Sequence, residues 1–109
     1  MRSQGGDRKK VNVVRVLLQA HLDTEKANEL IRSGKMPQVM QEIVGAFKPE
    51  ASYFTATGGV RTWFVVFDMQ DSSQMPPLTE PLFEKLGAEV DYTPVMNADD
   101  LQKGLSQLK

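Results

Sequence analysis

Residues 51–69, ASYFTATGGVRTWFVVFDM, decide the fold. Ala51 to Thr57 and Val60 to Met69 are rich in β-branched and aromatic residues, the composition of strands. Gly58-Gly59 stands between them. A two-residue hairpin turn needs positive φ at both central positions, which glycine adopts without strain. The return strand is apolar on both parities, with Phe64 and Val66 on one and Trp63, Val65 and Phe67 on the other. Successive strand side chains point to opposite faces, so this strand calls for cover on both.

Towards the N-terminus, VNVVRVLLQAHL (11–22) reads as a strand beginning at Val11. Val14, Val16, Leu18 and Ala20 give one apolar parity, and Val11, Val13, Arg15, Leu17, Gln19 and His21 a mixed one. Asp23 or Thr24 can cap the helix that follows by accepting orphan amide protons. Ala27, Leu30 and Ile31 form its apolar face, and Gly34 closes it. Pro37 opens a second helical piece in which Val39, Met40, Ile43, Val44 and Phe47 keep 3-4 spacing up to the break at Pro49.

Towards the C-terminus, Asp71, Ser72 and Ser73 open a turn, and Pro76-Pro77 lead into a helix ended by Gly87. Leu78, Leu82, Phe83 and Leu86 make its buried side. Pro81 removes a ladder bond, so the helix either kinks there or starts late with Thr79 as cap. A kink would open an apolar cleft lined by Met75, Leu78 and Phe83. Ala88 to Met96 is a last strand, with Val90, Tyr92 and Met96 on one face and Glu89, Asp91 and Thr93 on the other. Asn97 and Asp100 form a capping pair for a short helix with Leu101, Leu105 and Leu108 on one side. Its first-turn Asp99 and Asp100 suit the helix dipole without a metal.

Two strand–helix–strand units, 11–57 and 60–96, thus follow one another. Their sum is an α+β domain of βαββαβ, ferredoxin-like type: a four-stranded antiparallel sheet, helices on one face, and an extra C-terminal helix. Residues 11–109 form this single domain. The first ten residues carry a charge of +3 against -4 for the rest, with Gly5-Gly6 and no large apolar residue after Met1. They read as a disordered basic tail, either an arm for a partner or a cloning remnant.

A chain of 109 residues is one domain's worth, and 40% hydrophobic with 25% charged residues is the balance of a folded domain. A net charge of -1 argues against a dedicated nucleic-acid or anionic-membrane binder. The absence of cysteine excludes disulfides, thiolate zinc sites, iron–sulfur clusters and thiol catalysis. No apolar run approaches the roughly 18 residues of a membrane span or forms a secretion signal. A cytoplasmic protein is the expectation.

LDTEKANELIRSGKMP (22–37), KPEASYF (48–54), RTWFVVFDM (61–69), EPLFEKLGAEV (80–90) and PVMNADDLQKGL (94–105) resemble a family of small bacterial proteins with no settled activity. The resemblance spans nearly all of residues 11–108. It implies the dimeric α+β barrel superfamily, in which two ferredoxin-like sheets pack into one barrel. Relatives in that superfamily include cofactor-free monooxygenases, muconolactone-isomerase-like enzymes, haem proteins and binding or regulatory modules, and fold alone does not choose among them.

His21 is the single histidine, hence the one side chain whose ordinary pKa permits proton transfer near neutrality. It is the candidate catalytic base or haem ligand, against the plainer reading of a histidine ending a strand. Nothing beyond one histidine suggests haem. Parity places Arg15, Gln19, His21, Glu89, Asp91 and Thr93 on one sheet face, where Arg15–Asp91 and His21–Glu89 ion pairs would hold register or bind a ligand. Tyr53, Arg61 and Trp63 could frame a pocket in which Arg61 grips a carboxylate, against interface core for Trp63 and a solvated hairpin for Arg61. Met36, Met40, Met69, Met75 and Met96 could line an adaptable cavity or simply fill gaps. No triad, paired metal ligands or nucleotide fingerprint is visible, and no cofactor or metal is expected.

The expectation for function is a non-catalytic homodimer that binds a small, partly apolar ligand or serves as an interaction module. Neither nucleic acid nor membrane is an expected partner. The alternative is a cofactor-free isomerase or monooxygenase-like enzyme acting on a small aromatic or cyclic acid, with His21 as base.

Overall fold

A computed structural model describes residues 13–108. The basic tail, Val11 and Asn12 lie outside the described residues. Strand β1 (Val14–His21) is followed by helices α1 (Thr24–Arg32) and α2 (Met36–Phe47). The hairpin β2 (Ala51–Thr57) and β3 (Val60–Met69) comes next, then a 3₁₀ turn (Ser72–Gln74) and α3 (Met75–Leu86). Strand β4 (Glu89–Pro94) and α4 (Ala98–Leu105) are the last elements among the described residues. The architecture is α+β, a four-stranded antiparallel sheet in the order β2-β3-β1-β4 with four α-helices. It is compatible with a ferredoxin-like arrangement.

The hairpin turns on Gly58 (φ 64°) and Gly59 (φ 83°), with Thr57 opposite Val60. This register aligns Trp63, Val65 and Phe67 with Ala20, Leu18 and Val16 across β1. Those six residues are all but inaccessible and form one cluster with Ala27 of α1, Ile43 and Phe47 of α2, and Leu78, Leu82 and Leu86 of α3. Helices α1, α2 and α3 therefore cover a single sheet face. Phe47 sets its ring edge-on to both Trp63 (5.2 Å) and Phe67 (5.0 Å), the favourable geometry for aromatic quadrupoles. The Trp63 indole N–H donates to Ser52 Oγ at 2.8 Å, so this wholly buried ring leaves no unpaired donor.

Among the described residues, no helix contributes a buried core side chain to the opposite sheet face. Leu17, Phe64 and Val66 remain half-buried there and Tyr53 is exposed. Among the described residues, the two-sided cover that β3 calls for is thus met on one side.

The helix ends follow capping chemistry. The Asp23 carboxylate accepts from Lys26 N–H, and Asn97 and Asp100 make a reciprocal capping box. Asp71 caps the 3₁₀ turn. Thr79 is not a cap: α3 runs from Met75 to Leu86 through Pro81, and Thr79 is buried with its hydroxyl bonded to that of Tyr92. The acceptor that Pro81 leaves without a partner is the carbonyl of Pro77, an exposed residue that water can reach.

Four residues expected inside are exposed instead. Val14 lies at the end of β1, opposite Met69 and beyond the helices, and Met96 follows the end of β4. Phe83 flanks the buried Leu78–Leu82–Leu86 stripe, and Ile31 lies at the rim of α1. Leu101, Leu105 and Leu108 are exposed as well. No helix among the described residues is long and apolar enough to cross a membrane.

Gly87 closes α3 at φ 57°, and a Cβ there would sit 2.9 Å from Lys26 Cδ and 3.0 Å from Asp23 Cβ. Gly34 is equally left-handed but faces open space. Gly87→Ala should cost about 2 kcal/mol or more, against about 1 kcal/mol for Gly34→Ala, in denaturant unfolding. The Asp71 carboxyl is held below its ordinary value of 3.8 by hydrogen bonds from the Ser73 hydroxyl and then from the Ser73 backbone N–H. A folded-state value below the unfolded one stabilises at neutral pH and is lost as pH falls through the folded value. Asp71→Ala should therefore destabilise less at acid pH than at pH 7, as paired melts will show.

Candidate functional site

Two regions bring together the chemistry-bearing residues, one on each side of the sheet.

On the uncovered face, antiparallel pairing sets His21 opposite Glu89 and Gln19 opposite Asp91. The expected Arg15–Asp91 pair does not form. The register sets Asp91 opposite Gln19, four residues along β1 from Arg15, whose carbonyl accepts from Val95 N–H just past the end of β4. Arg15 instead donates from Nε to Glu50 (3.0 Å) and from Nη1 to Asp100 (2.6 Å). The hydrogen bond to Glu50 is the main reason the guanidinium is held above its ordinary pKa. Desolvation opposes that rise, while the charges of Glu50, Asp100 and Asp68 support it. Arg15 thereby clasps the start of β2 and the first turn of α4 to β1, a role for Glu50 that no local pattern announced.

The expected His21–Glu89 ion pair is also absent among the described residues, although the two face each other across the strands. His21 Nδ1 lies 3.0 Å from Thr62 Oγ1, and the Thr62 hydroxyl donates to the Val60 carbonyl at 3.2 Å. A hydroxyl has one proton: directed at Val60, it leaves Nδ1 to carry the imidazole N–H and Nε2 as the acceptor, and directed at Nδ1, it reverses the tautomer. A cavity of about 240 Å³ at this end of the sheet is lined by His21, Leu22, Asp23, Val60 and Glu89, among others.

On the helix side, a slot of about 220 Å³ opens between α1, α2 and β3. Leu22, Ile31, Met36, Met40, Phe54 and Trp63 form its apolar walls, and Arg61 and Thr62 also border it. Trp63 and Phe54 stack with planes 12° apart. Arg61 Nη2 donates to Asn28 Oδ1 at 2.9 Å, which orients the guanidinium. Of the expected frame of Tyr53, Arg61 and Trp63, the structure joins Arg61 and Trp63. It separates Tyr53, which pairs with Phe64 on the other face and is 69% exposed. Met36 and Met40 join the slot, whereas Met75 lines a shallow groove with Phe83 and Tyr92, and Met96 is exposed. In that groove burial raises the Tyr92 phenol pKa, against a smaller lowering by the Thr79 bond.

The cleft expected beside Pro81 is divided. Leu78 and Pro81 border a cavity of about 130 Å³ against α2, while Met75 and Phe83 lie on the other side of α3. A wider depression, about 680 Å³, lies at the end of α2, where Lys48, Glu50, Asp68, Gln70 and Gln74 surround Phe47, Phe67 and Leu78. Gln74 is already committed there, its Oε1 accepting from Gln70 N–H at 2.7 Å. Among the described residues no group of three His, Asp or Glu side chains is placed to hold a metal ion.

Ile31 and Phe54 were missed as slot residues, and Asn28 as the partner of Arg61. Phe54 stands opposite Trp63 across the hairpin, whereas Ile31 and Asn28 reach the site only through the packing of α1. Compared with protein-family profiles, with curated proteins and with solved structures, the chain matches none.

The hydrogen-bond relay at the sheet end has a spectroscopic consequence. With the Thr62 proton on Val60, the neutral imidazole of His21 should be the Nδ1–H tautomer in long-range ¹H–¹⁵N spectra, and Thr62→Val should abolish that preference.

Proposed function

We propose that this protein is a homodimeric small-ligand-binding module, in which the uncovered sheet face packs against the same face of a second copy to make an α+β barrel. One observation carries the reading. Leu17 and Val66 face each other across β1 and β3, and Phe64 lies beside them opposite Gln19 and Tyr53, so a continuous apolar centre crosses three strands. Arg15 and Asp68 border it at one end, and His21, Thr62 and Glu89 at the other. An apolar centre within a polar rim is the anatomy of a protein interface, and a face shared by identical chains is self-complementary about a two-fold axis.

Ligand binding is assigned to the helix side, where the slot keeps its apolar walls and single guanidinium whether or not the sheets pair. A second reading, a cofactor-free enzyme on a small aromatic or cyclic acid, is favoured by one feature: the Thr62 hydroxyl, which directed at Val60 leaves His21 Nε2 as an acceptor beside a cavity. His21 does not line the slot, so a base there would serve a different ligand position.

Sedimentation at micromolar concentration should give twice the mass of the chain. Val66→Glu, which puts a charge in the centre of the face, should give a folded monomer by far-UV circular dichroism. A wild-type monomer under these conditions overturns the barrel.

A further inference from the structure

The slot between α1, α2 and β3 permits the ligand class to be named, an inference that rests on the binding-module reading. We propose that it takes a small aromatic monocarboxylate, its ring held between the Met36 and Met40 thioethers and the Trp63–Phe54 stack, and its carboxylate on Arg61.

The walls exclude polar ligands. Leu22, Ile31, Met36, Met40 and Phe54 offer no hydrogen-bonding side chain, and the one donor among them, the Trp63 indole N–H, is already on Ser52. The Thr62 hydroxyl is engaged with His21 and Val60. A sugar or a peptide amide entering the slot would leave its own polar groups unpaired. The body of the ligand is therefore apolar.

One charged group sets the headgroup. Among the described residues Arg61 has no carboxylate within salt-bridge distance, whereas Arg15 has two and Arg32 has Glu29. The bond from Nη2 to Asn28 uses one of its five donors and fixes the plane of the guanidinium. The remaining donors suit a bidentate carboxylate, and a single cation matches a monoanion better than a doubly charged phosphate ester.

Size and wall chemistry set the rest. At about 220 Å³ the slot is smaller than the roughly 300 Å³ at which drug-sized sites begin, so it has room for one ring and a short acid arm. Thioethers make favourable contacts with aromatic rings and adjust to irregular shapes. Phe54 and Ile31, exposed at the rim, are placed to close over an occupant.

The chain has one tryptophan, and it lies in the slot, so its fluorescence reports occupancy directly. Titration of the full chain with phenylacetate and with 3-phenylpropanoate should change that emission saturably. Phenylacetamide, of the same shape without the charge, should bind at least about tenfold more weakly, and octanoate more weakly than either aromatic acid. Arg61→Met should weaken phenylacetate binding about tenfold while leaving phenylacetamide unchanged, a split that general destabilisation would not produce. Met40→Trp, which fills the slot, should abolish binding by calorimetry with the thermal midpoint recorded alongside. No saturable response up to about 10 mM phenylacetate overturns the proposal. So does equal affinity for acid and amide, or acid binding indifferent to Arg61→Met. Oligomeric state is scored separately. A dimer that ignores these acids overturns the slot assignment alone, and a monomer that binds them through Arg61 overturns the barrel alone.

Discussion

Two consecutive left-handed glycines, Gly58 and Gly59, fix where β3 lies against β2, and the rest of the structure depends on that register. With Thr57 opposite Val60, the odd residues of β3 turn towards the helices and the even ones away. A slip of one residue would carry Trp63, Val65 and Phe67 to the uncovered face and bring Phe64 and Val66 under α2. Phe47 would lose both aromatic edges, and the Trp63 indole would lose Ser52. Arg61 and Trp63 stand on the same parity just beyond the turn, so the register that builds the core also places the guanidinium beside the apolar slot. Core and site share one determinant.

What could be read from the chain alone was whatever depends on near neighbours. Strand parity, the caps at Asp23 and Asn97, the hairpin and the helix closures at Gly34 and Gly87 are local, and each stands in the structure. Which charges meet depends on strand register. Arg15 misses Asp91 because the register sets Asp91 opposite Gln19, and it reaches instead to Glu50 and Asp100, residues 35 and 85 positions away. The Thr62–His21 contact and the Thr79–Tyr92 contact were equally hidden, since a threonine in a strand or helix shows no sign of its partner. For the slot, Arg61, Trp63, Met36 and Met40 were legible as types worth watching, and the hairpin register sets Phe54 opposite Trp63, but Ile31 and the Asn28 bond to Arg61 required the packing of α1 over the sheet.

The two faces of the sheet divide the work. Under the helices, buried apolar side chains supply the stability, and a gap where α1 and α2 meet β3 supplies the slot. On the other face, Arg15 with its two carboxylates stands at one end and His21 with Thr62 at the other, and between them Leu17, Phe64 and Val66 lie beside Gln19 and Asp91. Because the slot opens on the helix side, events on the sheet face need not occlude it.

The two borders of the sheet differ in a way that bears on what copies of this chain do when crowded. Strand β2, ASYFTAT, is an edge strand with no charged residue. Strand β4, the other edge, carries Glu89, Asp91 and Pro94. An uncharged edge is a ready template for a further strand, whereas acidic side chains and proline discourage one. Copies meeting through β2 would join into a continuous sheet whose outer margins are both β4. There, repulsion between carboxylates and the missing proline donor oppose further growth. The two borders are thus unequal as templates, the acidic one being the poorer seat for a further strand.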